Sequence, residues 1–380
     1  MAQDELSREK KSPEESSMTQ NTSSQEETMT SSIDLLNKGD ISKIMAAAGS
    51  RRQQSLRGFD EDYVDIVDYI VRCTHKIWEE YGMGLIYTHY RHNAIVHTAY
   101  GITYSREEML TESIKALSAF PDRRIYAEDV IWTGNDEDGF HTSHRSTAVG
   151  HNTGYGAYGA PTGRKVIRRG IANCFVKENR ICEEWVVRDS LAMVRQLGLD
   201  EYEVVDRLLA EDERKGVRPS YGHPERLIGQ TEPPPVPPKT DGVFDIKEFL
   251  FRSQHEIWNW RLFNKITEYY VPNYLCYTSS NRTIYGIGDF RAYVIAFIVA
   301  FPDAKLNIDH LYWLGNERDG YRTATRWTLI GTHDGPSIYG TPTGKPIQLM
   351  GITHHFVKDE KFVKEWTVFD ELALLKQLRG

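Results

Sequence analysis

The chain has 380 residues, with 46 Lys and Arg against 54 Asp and Glu and a formal charge of −8. An acidic balance without a basic stripe argues against nucleic acid as the main ligand, and no apolar run reaches the roughly 18 residues that cross a bilayer. Cys73, Cys174, Cys182 and Cys276 form neither a disulfide framework nor a CxxC pair, and the N-terminus is polar, so the expectation is a cytoplasmic protein with no membrane partner.

Residues 1–57 are rich in Ser, Glu, Gln and Thr and are predicted to be disordered, apart from one short helix near Ile33 to Ala48. A first domain is predicted over 58–200. It opens with an amphipathic helix in which Ile66, Val67, Ile70, Val71, Ile77 and Trp78 form a stripe. A second helix from Arg106 is stopped by Phe120-Pro121-Asp122, because the residue before a proline is driven out of the helical region. Four strands are predicted over 125–132, 140–150, 166–176 and 180–189, the last two forming a hairpin around Glu178-Asn179. A linker covers 201–240: Glu201 to Lys215 is helical and stops at Gly216, and Thr231 to Pro238 is Pro-rich and stiff. The second domain, 241–380, repeats the same order, with Asp359-Glu360 at its hairpin.

The two domains are copies. Residues 120–197 match 301–378 at a constant offset of 181, with identity at 31 of 78 positions. Both copies carry Phe-Pro-Asp, both carry Tyr-Gly-x-Pro-Thr-Gly from Tyr158 and Tyr339, and both close with Glu-Trp-x-Val-x-Asp-x-Leu-Ala from Glu184 and Glu365. Helices followed by a strand meander indicate an α+β domain whose sheet curves around the helices.

Gly-x-His-x-Gly at Gly331 to Gly335, Pro342-Thr343-Gly344, Trp366-x-x-x-Asp370 and Gln377-Leu378 resemble the SnoaL-like polyketide cyclases of the nuclear transport factor 2-like superfamily. The resemblance covers both copies. It implies tandem cone domains, each with N-terminal helices packed in a curved antiparallel sheet, and an apolar pocket inside each cone. It also implies an intrachain pseudo-dimer with the sheets face to face, further homo-oligomerisation being left open. In relatives of this fold an acid at the end of the last strand acts as general base without metal or cofactor. Asp189 and Asp370 match that acid, and period 2 puts Trp185, Val187 and Asp189 on one face. Each Asp is equally placed to N-cap the final helix.

His333 matches the family histidine, whereas the first copy has Asn152 at that position, with His151 beside it. Arg168 and Arg169 replace Leu349 and Met350, so the two pockets have diverged. Arg145 and Arg326 occupy equivalent positions and suit either an ion pair or an anionic substrate group. Candidates to line the pockets are Tyr90, His92, His97, Tyr104, His144, Tyr158 and Trp185 in the first copy, with Tyr270, Tyr277, Tyr339, His355 and Trp366 in the second. His141 and His144 point to opposite faces of a strand, so no metal site is expected. Gly154-x-Gly156-x-x-Gly159 lacks a following helix and is not read as a dinucleotide site.

These features predict a cofactor-independent acid/base enzyme of lyase, dehydratase, isomerase or cyclase type acting on an aromatic or polycyclic small molecule, formaldehyde release from a phenolic substrate being one such reaction. The alternative is a ligand-binding or assembly protein with one or both pockets inactive.

Overall fold

The computed structural model of the chain describes residues 33–217, Val236, Pro238 and 242–380. The predicted disorder of residues 1–32 and most of the Pro-rich linker lie outside the described residues. Residues 33–57 are ordered, which corrects that part of the expectation. They carry helix α1 (Ile41–Ala46), and Ile33, Leu35, Ile44, Leu56 and Phe59 are buried in the first core. The few apolar residues of this stretch suffice because they land on a preformed surface. The Trp132 indole donates to the Ile33 carbonyl at 2.9 Å, and Arg322 of the second copy bonds Asp34.

In the first copy, α2 (Ile66–Trp78) starts at Asp65, whose carboxylate accepts from the Asp68 amide. The short helix α3 (Ile86–His89) leads into β1 (Tyr90–Thr98) and β2 (Gly101–Thr103), and α4 (Arg106–Ala119) follows. That helix ends at Phe120, with φ −136° and ψ 72°, as the following proline requires. Then come β3 (Arg124–Asn135), β4 (Gly139–His151), β5 (Lys165–Lys177) and β6 (Arg180–Arg188), capped by α5 (Ser190–Leu197), and the connecting helix α6 (Glu201–Lys215). The second copy repeats this with α7 (Ile246–Gln254), α8 (Ile266–Tyr269), β7 (Tyr270–Thr278), β8 (Arg282–Tyr285) and α9 (Gly286–Ala300). It continues with β9 (Lys305–Asn316), β10 (Gly320–Thr332), β11 (Pro346–Lys358), β12 (Lys361–Phe369) and α10 (Glu371–Arg379). At the two hairpins Glu178 and Asn179 have φ of 50° and 67°, and Asp359 and Glu360 have 50° and 57°, the paired left-handed conformation that matches strand twist.

The sheet orders are β2-β1-β6-β5-β4-β3 and β8-β7-β12-β11-β10-β9. They are antiparallel except at β1/β6 and β7/β12, which are parallel. This departs from the all-antiparallel expectation, and the reason is topological. The last strand returns beside the first after a helix and a meander, a connection long enough to permit either direction. Bulges between Ala127 and Asp129 and between Arg326 and Trp327 interrupt the long strands at equivalent places and curve both sheets.

Each sheet is covered on both faces. Outward residues Ile171, Trp185 and Val187 of the first copy meet Met350, Ile352 and Val368 of the second. The contact is reciprocal, as a two-fold interface demands: the Arg145 guanidinium lies 4.1 Å from the Trp366 ring centroid, and Arg326 lies 3.8 Å from that of Trp185. Ser143 and His354 Nε2 are 2.7 Å apart across the same interface. The inward residues alternate with these and face the copy's own helices.

Candidate active site

The inward residues of β12 are Glu365, Thr367 and Phe369, and together with His355 and Thr353 of β11 they enter a pocket in the second cone. Its remaining wall is mostly aromatic and aliphatic, Trp258, Tyr270, Phe290, Tyr293, Phe297, Leu306, Trp327 and Leu329, with the polar Gln254 and Thr325. Helices α7 and α9 supply part of this wall, with Phe290, Tyr293 and Phe297 rising from α9 at helical spacing. The cavity offers about 50 Å³ to the centres of water molecules. One water needs roughly 10–15 Å³ on that scale, so the inner part of the pocket has room for several waters.

One carboxylate organises the polar floor. Glu365 accepts hydrogen bonds from the Tyr274 hydroxyl and the Thr367 hydroxyl, and His355 Nε2 lies 3.4 Å from its Oε2. The Trp327 indole donates to Thr353 at 2.9 Å, and Thr353 and Thr367 are 2.8 Å apart, which fixes the floor from behind. Burial pushes the Glu365 carboxyl up, but the bonds and charge from His355, Thr367 and Tyr274 outweigh it and hold the group below its ordinary value. Glu365 is therefore an ionised acceptor for His355 Nε2–H. That tautomer leaves the lone pair on Nδ1, which is buried and has no hydrogen-bond partner. The Tyr270 hydroxyl is buried without a partner in bonding range, Gln254 being the side chain that bears on it. Burial raises its pKa well above 10, so it remains a proton donor.

The first copy keeps the carboxylate and loses the imidazole. Glu184 stands opposite Cys174 as Glu365 stands opposite His355, and Tyr90 donates to Glu184 at 3.2 Å. Burial pushes Glu184 upward.

Among the sequence candidates, the second-copy pocket thus gathers Tyr270 and His355. Tyr90 and His144 face the interior of the first cone, where burial drives His144 down to about 4. The rest are elsewhere. Trp185 and Trp366 face the other copy, His97 stacks on Trp185 and meets Glu183 at 2.7 Å, and Tyr277 stacks near Trp366. Arg145 pairs with Glu128, and both Arg145 and Arg326 stack across the interface. His92 and Tyr104 are exposed, and His151 bonds Asp122 at 2.5 Å at the surface. His333 is held in its loop by Thr343 at 3.3 Å and Ser337 at 3.1 Å, and Tyr339 donates to Glu371 at 2.6 Å. Asn152, at the His333 position, likewise ties its own loop through Thr162 and Gly154.

Asp189 and Asp370 both cap the final helices, and each is bound by the opposite copy. Asp189 accepts from the Ala192 amide at 3.3 Å and from Ser280 and Asn281 at 2.8 and 3.1 Å. Asp370 accepts from Leu372 and Ala373 at 3.0 and 3.1 Å, from Tyr100 at 3.2 Å and from Ser190 at 2.5 Å. Tyr158 packs in this region beside α5 and α6. Glu365, Tyr274, Thr353 and Thr367 were missed, although the Glu of Glu-Trp recurs in both copies and was the available signal.

Two curved sheets wrapped on helices, each with an enclosed interior, define a tandem cone-fold protein. The sequence model of the SnoaL-like polyketide cyclase family matches residues 69–197 and 249–378, more than half of the chain. The chain belongs to that family. The chain is also similar to solved structures. A protein assigned as a SnoaL-like polyketide cyclase from Jannaschia sp. CCS1 is 20% identical, covering 35% of this chain and 90% of its own, with TM-score 0.31. One assigned as a polyketide cyclase from Acidithiobacillus ferrooxidans is 22% identical, covering 36% and 98%, with TM-score 0.31. TsrD from Streptomyces laurentii is 20% identical, covering 36% and 98%, with TM-score 0.31. No curated protein matches the chain.

Proposed function

We propose that the protein is a cofactor-independent acid/base enzyme whose reaction takes place in the second cone. The observation that carries this is the His355–Glu365 pair in an aromatic pocket, with His355 Nδ1 and the Tyr270 hydroxyl both unpartnered. His355 Nδ1 takes a proton from a substrate C–H or O–H, Glu365 stabilises the imidazolium, and Tyr270 donates a hydrogen bond to the oxyanion that develops. Returning the proton at another atom completes an isomerisation, dehydration, cyclisation or retro-aldol cleavage, including formaldehyde release. The substrate in this proposal is an aromatic or polycyclic small molecule, since the walls are largely aromatic. Asp189 and Asp370 in this scheme hold the two copies together.

The test is mass spectrometry of an aromatic metabolite extract incubated with wild type, with His355→Gln and with Glu365→Gln. A feature converted by wild type and slowed at least 100-fold by both variants supports the proposal, and its mass change names the reaction. Conversion that survives His355→Gln unchanged refutes the assignment of the base. Binding of an aromatic feature without conversion supports the alternative, a ligand-binding protein.

A further inference from the structure

We infer that the cone of the first copy binds an anionic small molecule, a carboxylate or a phosphate, through Arg123, Arg168 and Arg188. This does not depend on the chemistry of the second cone. Strand register places the three on one face. Arg168 stands opposite Ala148, which stands opposite Ile125, two residues after Arg123. Arg188 stands opposite Gly170, two residues after Arg168. Opposite residues share a face and period 2 preserves it, so all three rise from the inner face that also carries Ala172 and Cys174.

The second copy has Ala304, Leu349 and Phe369 at these positions, all in its hydrophobic core. Three apolar wall residues have therefore become three cations. The filling rings have gone as well, since Ser146 and Ala116 stand where the second copy has Trp327 and Phe297. A Cβ on Gly351 would come 2.1 Å from the Trp327 ring, whereas one on the equivalent Gly170 would meet only the Val187 carbonyl at 3.3 Å and Arg188 Cγ at 3.8 Å. The space that an indole fills in one cone is bordered by Arg188 in the other.

Among the described residues, no carboxylate forms an ion pair with any of the three. Arg168 reaches the Met193 sulfur at 3.9 Å, and Arg123 reaches the Trp78 carbonyl at 3.5 Å while its Nε has no partner. The nearby acids have other partners: Glu184 takes the Tyr90 hydroxyl, Asp370 takes Ser190 and Tyr100, and Glu79 pairs with Arg124 and His75. Burial and mutual repulsion push Arg123 and Arg168 down to about 10. Planar guanidinium forks on one inner face, half-buried and with donors unused, match the geometry of an oxyanion, which would also relieve their repulsion.

The experiment is thermal unfolding of the full chain in chloride buffer, titrated with inorganic phosphate or citrate at constant ionic strength. Wild type should gain a saturable rise in Tm, on the order of 5 °C when the anion reaches 100 times its Kd. Arg168→Leu/Arg188→Phe, which installs the residues of the second copy, should abolish the rise, while exposed Arg124→Ala should keep it. A response to phosphate alone names a phosphoryl ligand, and one to citrate alone names a carboxylate. If the double variant does not fold, Arg168→Lys replaces it, keeping the charge without the fork, and should raise Kd at least tenfold. No saturable rise with either anion, or a rise of equal size in the variants, overturns the inference.

Discussion

Asp370 offers a quantitative test of whether the acid at the end of the last strand is a cap or a proton carrier. Burial pushes its carboxyl from 3.8 up to about 6, against the pull of the Ser190 hydroxyl and the Ala373 amide and with help from the charge of Asp189. Its folded value lies above its unfolded one, so the native protein holds the extra proton between about 4 and about 6. Stability is favoured below that window and falls as pH rises through it. At about 1.4 kcal/mol per pKa unit, the ionised group costs roughly 3 kcal/mol at most above pH 6. Asp370→Asn removes this cost and keeps the packing. Oδ1 alone receives Tyr100, Leu372 and Ala373, so an amide oxygen can retain all three, and the amide nitrogen can donate to the Ser190 hydroxyl. Asn is also a good N-cap. Urea unfolding followed by tryptophan fluorescence at pH 4.5, 6 and 8 should show the variant gaining about 1–3 kcal/mol on wild type between the lowest and highest pH. A wild-type-to-variant difference that is constant with pH would refute the reasoning.

Three further outcomes are expected. Glu365→Ala leaves the Tyr274, Thr367 and His355 donors facing an empty acceptor site and should destabilise the second copy by about 3–5 kcal/mol, measured by urea unfolding. A double-mutant cycle of Arg145→Ala with Trp366→Ala should return a coupling of about 1–2 kcal/mol, and Arg326 with Trp185 should return a similar value because the stacking is reciprocal. Gly351→Ala drives a methyl into the Trp327 ring and should lower Tm by several degrees, while Gly170→Ala should stay within about 1 kcal/mol of wild type.

The local code was legible where one rule acts alone. A proline stops each second helix, paired residues with positive φ turn each hairpin, and the repeat fixes the number of cones. The face of the last strand was not legible. Trp185, Val187 and Asp189 do share a face, as period 2 dictates, but that face meets the other copy. In a sheet buried on both sides the two sets of alternate residues are both partly apolar, so alternation separates the faces without saying which one encloses the pocket. Glu365 and Thr367 were overlooked for that reason: polar residues on a strand ordinarily face water, and here they face the cone interior.

The divergence of the copies follows from the same geometry. Some outward positions cannot drift independently, because each Trp is the partner of the other copy's Arg and each capping Asp is bound by the other copy. The inward faces pack mainly on their own copy's helices, so most substitutions there are felt first by one copy. The reciprocally bonded interface positions Arg145 and Arg326, Trp185 and Trp366, and Asp189 and Asp370 are identical, whereas Ser143 and Ala324, also at the interface, differ. Inside the cones Glu184 and Glu365 are kept, and Cys174 and His355, Arg188 and Phe369, and Ser146 and Trp327 are not. A tandem chain of this kind can hold one cone rigid through its partner while the contents of the other change.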